Sequence, residues 1–495
     1  MENFVTSFAA IFTPLPFLFL FIGVSVGIIV GAIPGLTGGM VIALALPLTF
    51  LMDGTHALIM LVAMYVGSTS GGLISATLMR MPGTPAAMMT TLDAYPMARE
   101  GRPGRALGLG IFASFGGGLI SWVFLAGLSP TLSELAVQFG PYEIFAMALL
   151  ALLLISAIGG GSLSKSLLSG SFGILVSLVG VDKASGSVRL TFGNHDLDGG
   201  FRLLAVILGM LVLSQVLSDV TARDGIVQKT KSSTRDMWIS MRDLMAHRWN
   251  LIRSSLIGTW IGVLPGIGGS TAAIASYSAA LSLSETPEEF GSGSEEGIVA
   301  AEAANNAAVN GALVPLITLG IPGSVVDVLL LGALVIQGLT PGPLLFVENP
   351  EVAYGIISSA LVANIVMFAF MLVGTPYISK LMYVNKKYLL PAIIVFCVIG
   401  AFSQSNRMFD VWTMFAFGLI GFLMMKTKIP HGPFVIGFVL APIAELNLRS
   451  GLQLYDGSFM PLITRPIPLL FIAISVIALF WPLVKILRAK RKIGA

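Results

Sequence analysis

Pro34-Gly35-Leu36-Thr37-Gly38-Gly39 interrupts a largely apolar run from Leu15 to Leu51, and it returns as Pro265-Gly266-Ile267-Gly268-Gly269-Ser270. Gly27, Gly31, Pro34, Gly35 and Gly38 recur as Gly258, Gly262, Pro265, Gly266 and Gly269, all at one offset of 231 residues. Glycine opens left-handed backbone space, and proline removes a donor and clashes with the preceding turn, so each stretch breaks a helix. In hydrocarbon such a break is tolerated only where it is buried in protein or lines a polar cavity. Matched breaks in the two halves of a membrane protein point to a transporter's binding site. The plainer reading is a pair of glycine-rich turns between spans.

Composition puts the breaks in a membrane. Of 495 residues, 55% are hydrophobic and 11% charged, against roughly 25% charged in a soluble domain. Mean hydropathy is +0.90. At ~20 residues per span, the apolar windows predict roughly 11 spans, some broken, and an all-α polytopic fold. The lone cysteine, Cys397, rules out a disulfide framework and reads as a small buried apolar residue. No basic residue precedes Arg80, so the first apolar run reads as a retained span rather than a signal peptide.

One long hydrophilic stretch, 221–250, divides the chain into a first half, 1–220, and a second half, 251–495. It carries Arg223, Lys229, Lys231, Arg235, Arg242 and Arg248, and the C-terminus adds Lys485, Arg488, Lys490, Arg491 and Lys492. Placing both in the cytoplasm puts most of the 28 Lys and Arg residues inside, as the positive-inside rule requires. The loop 97–105 then falls inside, and its counterpart 337–351, which has no basic residue, falls outside. Charge and parity therefore predict two inverted repeats.

A second pair of breaks supports that reading. Met81-Pro82-Gly83-Thr84-Pro85 matches Ile321-Pro322-Gly323-Ser324, with Gly71-Gly72-Leu73-Ile74 aligned to Gly311-Ala312-Leu313-Val314. Thr84 and Ser324 read as N-caps of short helices, and Pro85 suits a first helical position. Asp327 completes a Ser-x-x-Asp box and serves equally as a cap partner or as a ligand. Helix N-termini offer free N–H groups and the positive dipole end, so four converging breaks make an anion site without lysine. The opposed carbonyl ends suit a monovalent cation. The expected substrate-binding residues are Gly35, Thr37, Gly38, Thr84, Gly266, Gly269, Ser270, Ser324 and Asn306.

Polar residues inside the spans add the expected ion ligands, Thr69, Ser70, Asn305, Asn310 and Gly268. Glu302, Asn306 and Asn310 are spaced i, i+4, i+8 and share a helix face, with Asn305 adjoining it. Such groups in a membrane are expensive and point to function, and interhelical hydrogen-bonding is the alternative. Arg80 is open between countercharging a carboxylate and snorkelling to the interface. The four histidines, His56, His195, His247 and His431, are scattered without ligand spacing, so no metal site is expected. Gly159 to Ser166 mimics a phosphate loop but lacks the glycine before Lys165. The acidic run Glu285 to Glu296 reads as a solvated loop.

With Gly31 to Gly39, Met81 to Pro85, Leu264 to Ser270 and Gly297 to Ser324 with its Asn305-Asn306 pair, the sequence resembles the large membrane subunit of the tripartite tricarboxylate transporters, the TctA family. The resemblance covers essentially the whole chain, although Arg80 stands where family members often have Asn. It implies secondary active, Na⁺- or H⁺-driven uptake of organic carboxylates across a bacterial inner membrane, without a cofactor. It implies a small membrane subunit and a periplasmic binding protein as partners, and no nucleic acid. It also implies the ion-transporter superfamily, with re-entrant hairpins and elevator-like movement. The competing readings are a stand-alone carboxylate symporter and a channel. An intramembrane enzyme lacks support, since there is no Gly-x-Ser-Gly site and Tyr455-Asp456 has no Gly-x-Gly-Asp partner.

Overall fold

The computed structural model describes residues 2–158, 162–182, 185–221, 237–238, 241–381 and 386–493. The fold is predominantly helical. Among the described residues seven helices are long and apolar enough to cross a membrane, and a set of shorter apolar helices accompanies them. The chain forms two compact units, each drawn from both ends of the sequence. The first comprises 1–133, 219–264 and 268–400, and the second 134–218, 265–267 and 401–495. Most of the basic stretch 221–250 and of the phosphate-loop-like segment's glycines lies outside the described residues.

The first pair of breaks falls where proline and glycine require it. Helix Pro14–Ala32 stops at the extended Ile33, Gly35 turns with φ 93°, and Thr37 caps helix Gly38–Thr49 by accepting from the Met40 N–H at 3.2 Å. That helix has 12 residues. At about 1.5 Å per residue it reaches about 18 Å, well short of a ~30 Å hydrocarbon core. Helix Arg248–Val263 likewise gives way at Gly266, φ 76°, to helix Gly268–Leu283. The apolar stretch 251–283 is thus two helices rather than one span.

The second pair of breaks is alike in position and different in detail. Helix Glu295–Leu319 ends on Gly320 in the left-handed region, and Ser324 caps helix Val325–Ile336. Helix Gly54–Met79 ends on Arg80, also left-handed at φ 55°. A non-glycine residue in that region costs roughly 1–2 kcal/mol. The Arg80 side chain is exposed, and its guanidinium carbon lies 5.8 Å over the Tyr95 ring. After Thr84 comes a single 3-10 turn, Pro85–Met88, and then helix Thr90–Arg99.

Glycines let the helices carrying the breaks touch backbone to backbone. A Cβ added at Gly27, Gly31 or Gly71 would stand under 3.0 Å from the carbonyl oxygens of Met64, Ser68 and Ile28. The same holds for Gly258, Gly262 and Gly311 against Ala304, Ala308 and Thr259. Gly83 packs on the Gly31 carbonyl, and Gly323 on that of Gly262. The contacts of one half therefore recur in the other.

The second unit holds helices Pro141–Ile158, Leu163–Ser177, Leu203–Thr221, Met408–Lys426, His431–Leu454 and Pro466–Ile493. Gly173 and Gly437 let two of them cross closely, and a π-turn, Leu208–Leu213, sits against Gly418. Two features were not expected from sequence: a short helix, Glu2–Ile11, and an antiparallel pair of two-residue strands, Gly180–Val181 and Val188–Arg189. The strand pair qualifies the all-α expectation. It is held by ion pairs, Arg189 to Glu445 at 2.7 Å and Arg449 to Asp182 at 2.7 Å.

Gly71→Val should lower the thermal unfolding midpoint of the purified protein, because a branched side chain must force the Ile28 backbone away; overpacking of this kind costs about 1–3 kcal/mol. Gly127→Ala, where nothing lies within 4 Å, should leave the midpoint unchanged or raise it slightly. Equal midpoints for both variants would show that the glycine contacts do not set the packing.

Candidate functional site

The helical segments that follow the four breaks start close together within the first unit. A Cβ at Gly39 would lie 3.7 Å from a Leu329 methyl and 4.0 Å from a Val326 methyl. At Gly268 it would lie 3.6 Å from the Ser324 Cβ, and at Gly269 3.5 Å from the Ala86 Cβ. The first break thus touches the fourth, the fourth the third, and the third the second. Gln337 at the end of helix Val325–Ile336 donates to the Thr49 carbonyl at 2.6 Å, so that helix runs parallel to Gly38–Thr49. Tyr277 donates to Asp93 at 2.8 Å, which sets helix Gly268–Leu283 parallel to the segment 85–99. The N-terminal ends of both pairs meet at the breaks, where unsatisfied N–H groups and dipoles favour negative charge.

The hydroxyls at these ends are not equivalent. Thr37 caps its own helix, as described. Ser324 accepts from the Asp327 N–H at 3.3 Å and pairs with the Tyr65 hydroxyl at 3.1 Å. Thr84 was expected to be an N-cap, yet its buried hydroxyl has no hydrogen-bond partner among the described residues. The 3-10 turn that follows it brings no amide into capping position. Ser270 is the third residue of its helix, which starts at Gly268. Gly38 packs on the Ser68 hydroxyl, and Gly269 comes close to the Asn305 side-chain oxygen, where an added Cβ would stand at 3.1 Å.

The Asn-rich face of helix Glu295–Leu319 is fully buried, and most of it is hydrogen-bonded. Glu302 accepts from Thr90 at 2.5 Å and Ser114 at 3.0 Å. Asn306 accepts from Ser70 at 2.6 Å and donates to the Glu302 carbonyl at 3.2 Å. Asn310 donates to the Gly118 carbonyl at 2.8 Å and to Ser121 at 2.9 Å. Thr69 and Ser68 both donate back to the Tyr65 carbonyl. Asn305 differs: among the described residues neither its amide nitrogen nor its oxygen finds a hydrogen-bond partner, and the Asn310 oxygen has none either. Asn306, Asn310 and Asn364 share a small cavity with Val66, Gly118, Val309 and Ala360. Asn306 and Asn310 therefore bind helices together and at the same time face open space.

Asp93 is a site residue that sequence reasoning passed over. Fully buried, it takes the backbone N–H groups of Gly291, Gly293 and Ser294 on one carboxylate oxygen, at 2.7, 3.1 and 2.9 Å, and the Tyr277 hydroxyl on the other. It thereby anchors the chain just before helix Glu295–Leu319, where a negative charge also complements the helix dipole. Its partners lie some two hundred residues away, so no local spacing announces it. Beside this anchor Arg105 bridges Glu295 and Asp243 at 2.8 and 3.0 Å. The His247 ring and the Arg105 guanidinium hold the Glu295 carboxyl down at about 2.

Comparison with known proteins follows the same residues. The family model for the "Tripartite tricarboxylate transporter TctA family" matches residues 17–436. The chain is 35% identical over 497 aligned residues, 99% of its length and 98% of the relative's, to the "Uncharacterized 52.8 kDa protein in TAR-I ttuC' 3'region" of Agrobacterium vitis. It is also 35% identical over 237 residues, 47% of its length and 97% of the relative's, to the "Uncharacterized protein in TAR-II ttuC' 3'region" of the same organism. No solved structure matches it. Both the four matched breaks and the Asn-rich helix lie inside the matched span, and the chain belongs to the tripartite tricarboxylate transporter TctA family.

Proposed function

We propose that this chain is the large permease subunit of a tripartite, Na⁺- or H⁺-coupled importer of organic carboxylates in a bacterial inner membrane. It works with a small membrane subunit and takes its substrate from a periplasmic binding protein. Family membership supports the transport of tricarboxylates. The observation that carries the reading further is the meeting of four helix N-terminal ends at matched breaks, with the Thr84 hydroxyl and the Asn305 amide buried and unpartnered. Buried polar groups are hydrogen-bonded almost without exception, and an open one costs about 1–3 kcal/mol. A carboxylate arriving between these ends supplies acceptors for the hydroxyl, the amide N–H and the free backbone N–H groups. Gly35, Thr37, Gly38, Gly269 and Ser270 belong to the same breaks.

The matched glycine contacts support two repeats; their inverted sense, about a two-fold axis in the membrane plane, rests on the charge and parity of the loops, and elevator-like movement belongs to the same reading. The C-terminus then lies in the cytoplasm. The competing reading, a stand-alone symporter, differs only in how substrate arrives.

Uptake of a panel of radiolabelled di- and tricarboxylates into proteoliposomes tests the reading. Thr84→Ala should raise the half-saturating concentration about tenfold to a hundredfold, the equivalent of a lost hydrogen bond to a charged group of roughly 1.5–3 kcal/mol. Gly35→Val and Gly266→Val should abolish uptake with normal insertion, because both glycines sit at positive φ. Wild-type kinetics for Thr84→Ala, with valine variants that fail only through lost expression, would make the breaks structural turns.

High-affinity uptake should also require the periplasmic binding protein. Full uptake by vesicles that hold only this chain and the small subunit would instead favour the stand-alone symporter.

A further inference from the structure

The two second breaks occupy matching positions and carry different chemistry. The offset of 240 residues that relates Gly71 to Gly311 also relates Thr84 to Ser324, Tyr65 to Asn305 and Ala87 to Asp327. Thr84 and Asn305 are neutral and unpartnered. Their counterparts Ser324 and Tyr65 are hydrogen-bonded to each other, and a carboxylate stands where the first half has a methyl group.

Asp327 is fully buried, and neither of its carboxylate oxygens has a hydrogen-bond partner among the described residues. The Ser-x-x-Asp box is only loosely formed: Ser324 caps the Asp327 N–H, while its own hydroxyl and N–H face the Asp327 carboxylate without a well-formed hydrogen bond. No ion pair among the described residues involves it, and Arg80, the basic residue at the first half's matching break, is exposed over the Tyr95 ring. Burying an ionised carboxylate is costly even after relaxation. The dipole of helix Val325–Ile336 offsets only part of that cost. The helix end therefore cannot hold the charge alone, and a counter-ion or a proton must neutralise it.

We propose that Asp327, with the Ser324 and Tyr65 hydroxyl oxygens beside it, is the binding site of the monovalent coupling cation, Na⁺ or H⁺. This rests on the transport reading above and divides the breaks by charge. The open Thr84–Asn305 side takes the carboxylate, and the Asp327 side takes the cation. Relative to the expectation from sequence, Ser324 moves to the cation and Asn305 to the substrate. A single negative charge with neutral oxygen donors suits a hard monovalent ion.

Thermal unfolding of the purified full-length chain in detergent tests the site without any carboxylate, so its failure is distinct from failure of the uptake experiments. NaCl is titrated against choline chloride at constant ionic strength, and the series is repeated across neutral to mildly alkaline pH. If Na⁺ is the ligand, the wild-type midpoint rises with NaCl by mass action. If H⁺ is the ligand, the folded state binds a proton that the unfolded chain has lost, so the midpoint falls as pH rises. Tyr65 is the titratable group facing Asp327 from helix Gly54–Met79; Glu302, on helix Glu295–Leu319, is tied to Thr90 and Ser114, and helix Gly38–Thr49 carries none. Asp327→Asn keeps the shape, removes the charge and should abolish whichever response the wild type shows. Ser324→Ala and Tyr65→Phe retain the carboxylate and should weaken the cation response, for Na⁺ by about tenfold in half-saturating concentration. They carry the test if Asp327→Asn does not fold. Salt and pH responses in the variants identical to wild type would overturn the proposal.

Discussion

Everything in the first unit depends on one constraint: a backbone broken inside a membrane must be surrounded by protein. Unpaired amides and carbonyls cannot face lipid, so the helices that end at the breaks need close neighbours. The glycines provide them. Gly31 sits against the Ser68 carbonyl and Gly262 against that of Ala308, and Gly83 and Gly323 then pack on Gly31 and Gly262. Each first break is thereby fastened to the second break of its own half. The contacts that join the halves run through Gly39 with Leu329 and Gly269 with Ala86. Dispersion and backbone approach hold such interfaces, since lipid tails offer no hydrophobic drive between helices.

How far this was legible follows from the range of each interaction. Proline, glycine and hydropathy act locally, so the breaks, the discontinuous helices and the polytopic class were readable from sequence. The matched offsets revealed the internal correspondence. Three-dimensional partners were not readable. Asp93 draws its donors from Gly291 to Ser294 and Tyr277, and nothing near Asp93 in sequence signals that. The cap signal at Thr84 was real in composition but failed because the turn that follows is 3-10, whereas the same signal at Ser324 held. The strand pair 180–189 escaped because two-residue strands leave no periodicity, and ion pairs rather than apolar alternation secure them.

The departures from internal symmetry are as informative as the symmetry. Arg80 takes the left-handed position that Gly320 fills without strain, and it does so with its side chain exposed. A glycine there would relieve backbone strain, and what the arginine contributes is its contact with Tyr95. Toward the middle of the site, Asn305 replaces Tyr65 and Ala87 replaces Asp327. A shared scaffold therefore presents two unlike surfaces, one neutral and rich in donors, the other acidic.

The contacts also differ in how readily they can be exchanged. Glycine-to-carbonyl packing within each half has no slack, because interiors at this density resist displacement by even a methyl group. Between the halves, the Tyr65 to Ser324 hydrogen bond contributes only about 1 kcal/mol net, and its counterpart at Thr84 and Asn305 is not made at all. Asp93 lies at the other extreme. Four donors to one buried carboxylate, each worth roughly 1.5–3 kcal/mol, fix the entrance of helix Glu295–Leu319 to helix Thr90–Arg99. Exchange of contacts is therefore least costly at the Ser324 and Thr84 ends of the breaks, and most costly where Asp93 ties helix Thr90–Arg99 to Tyr277 and to the backbone of Gly291, Gly293 and Ser294.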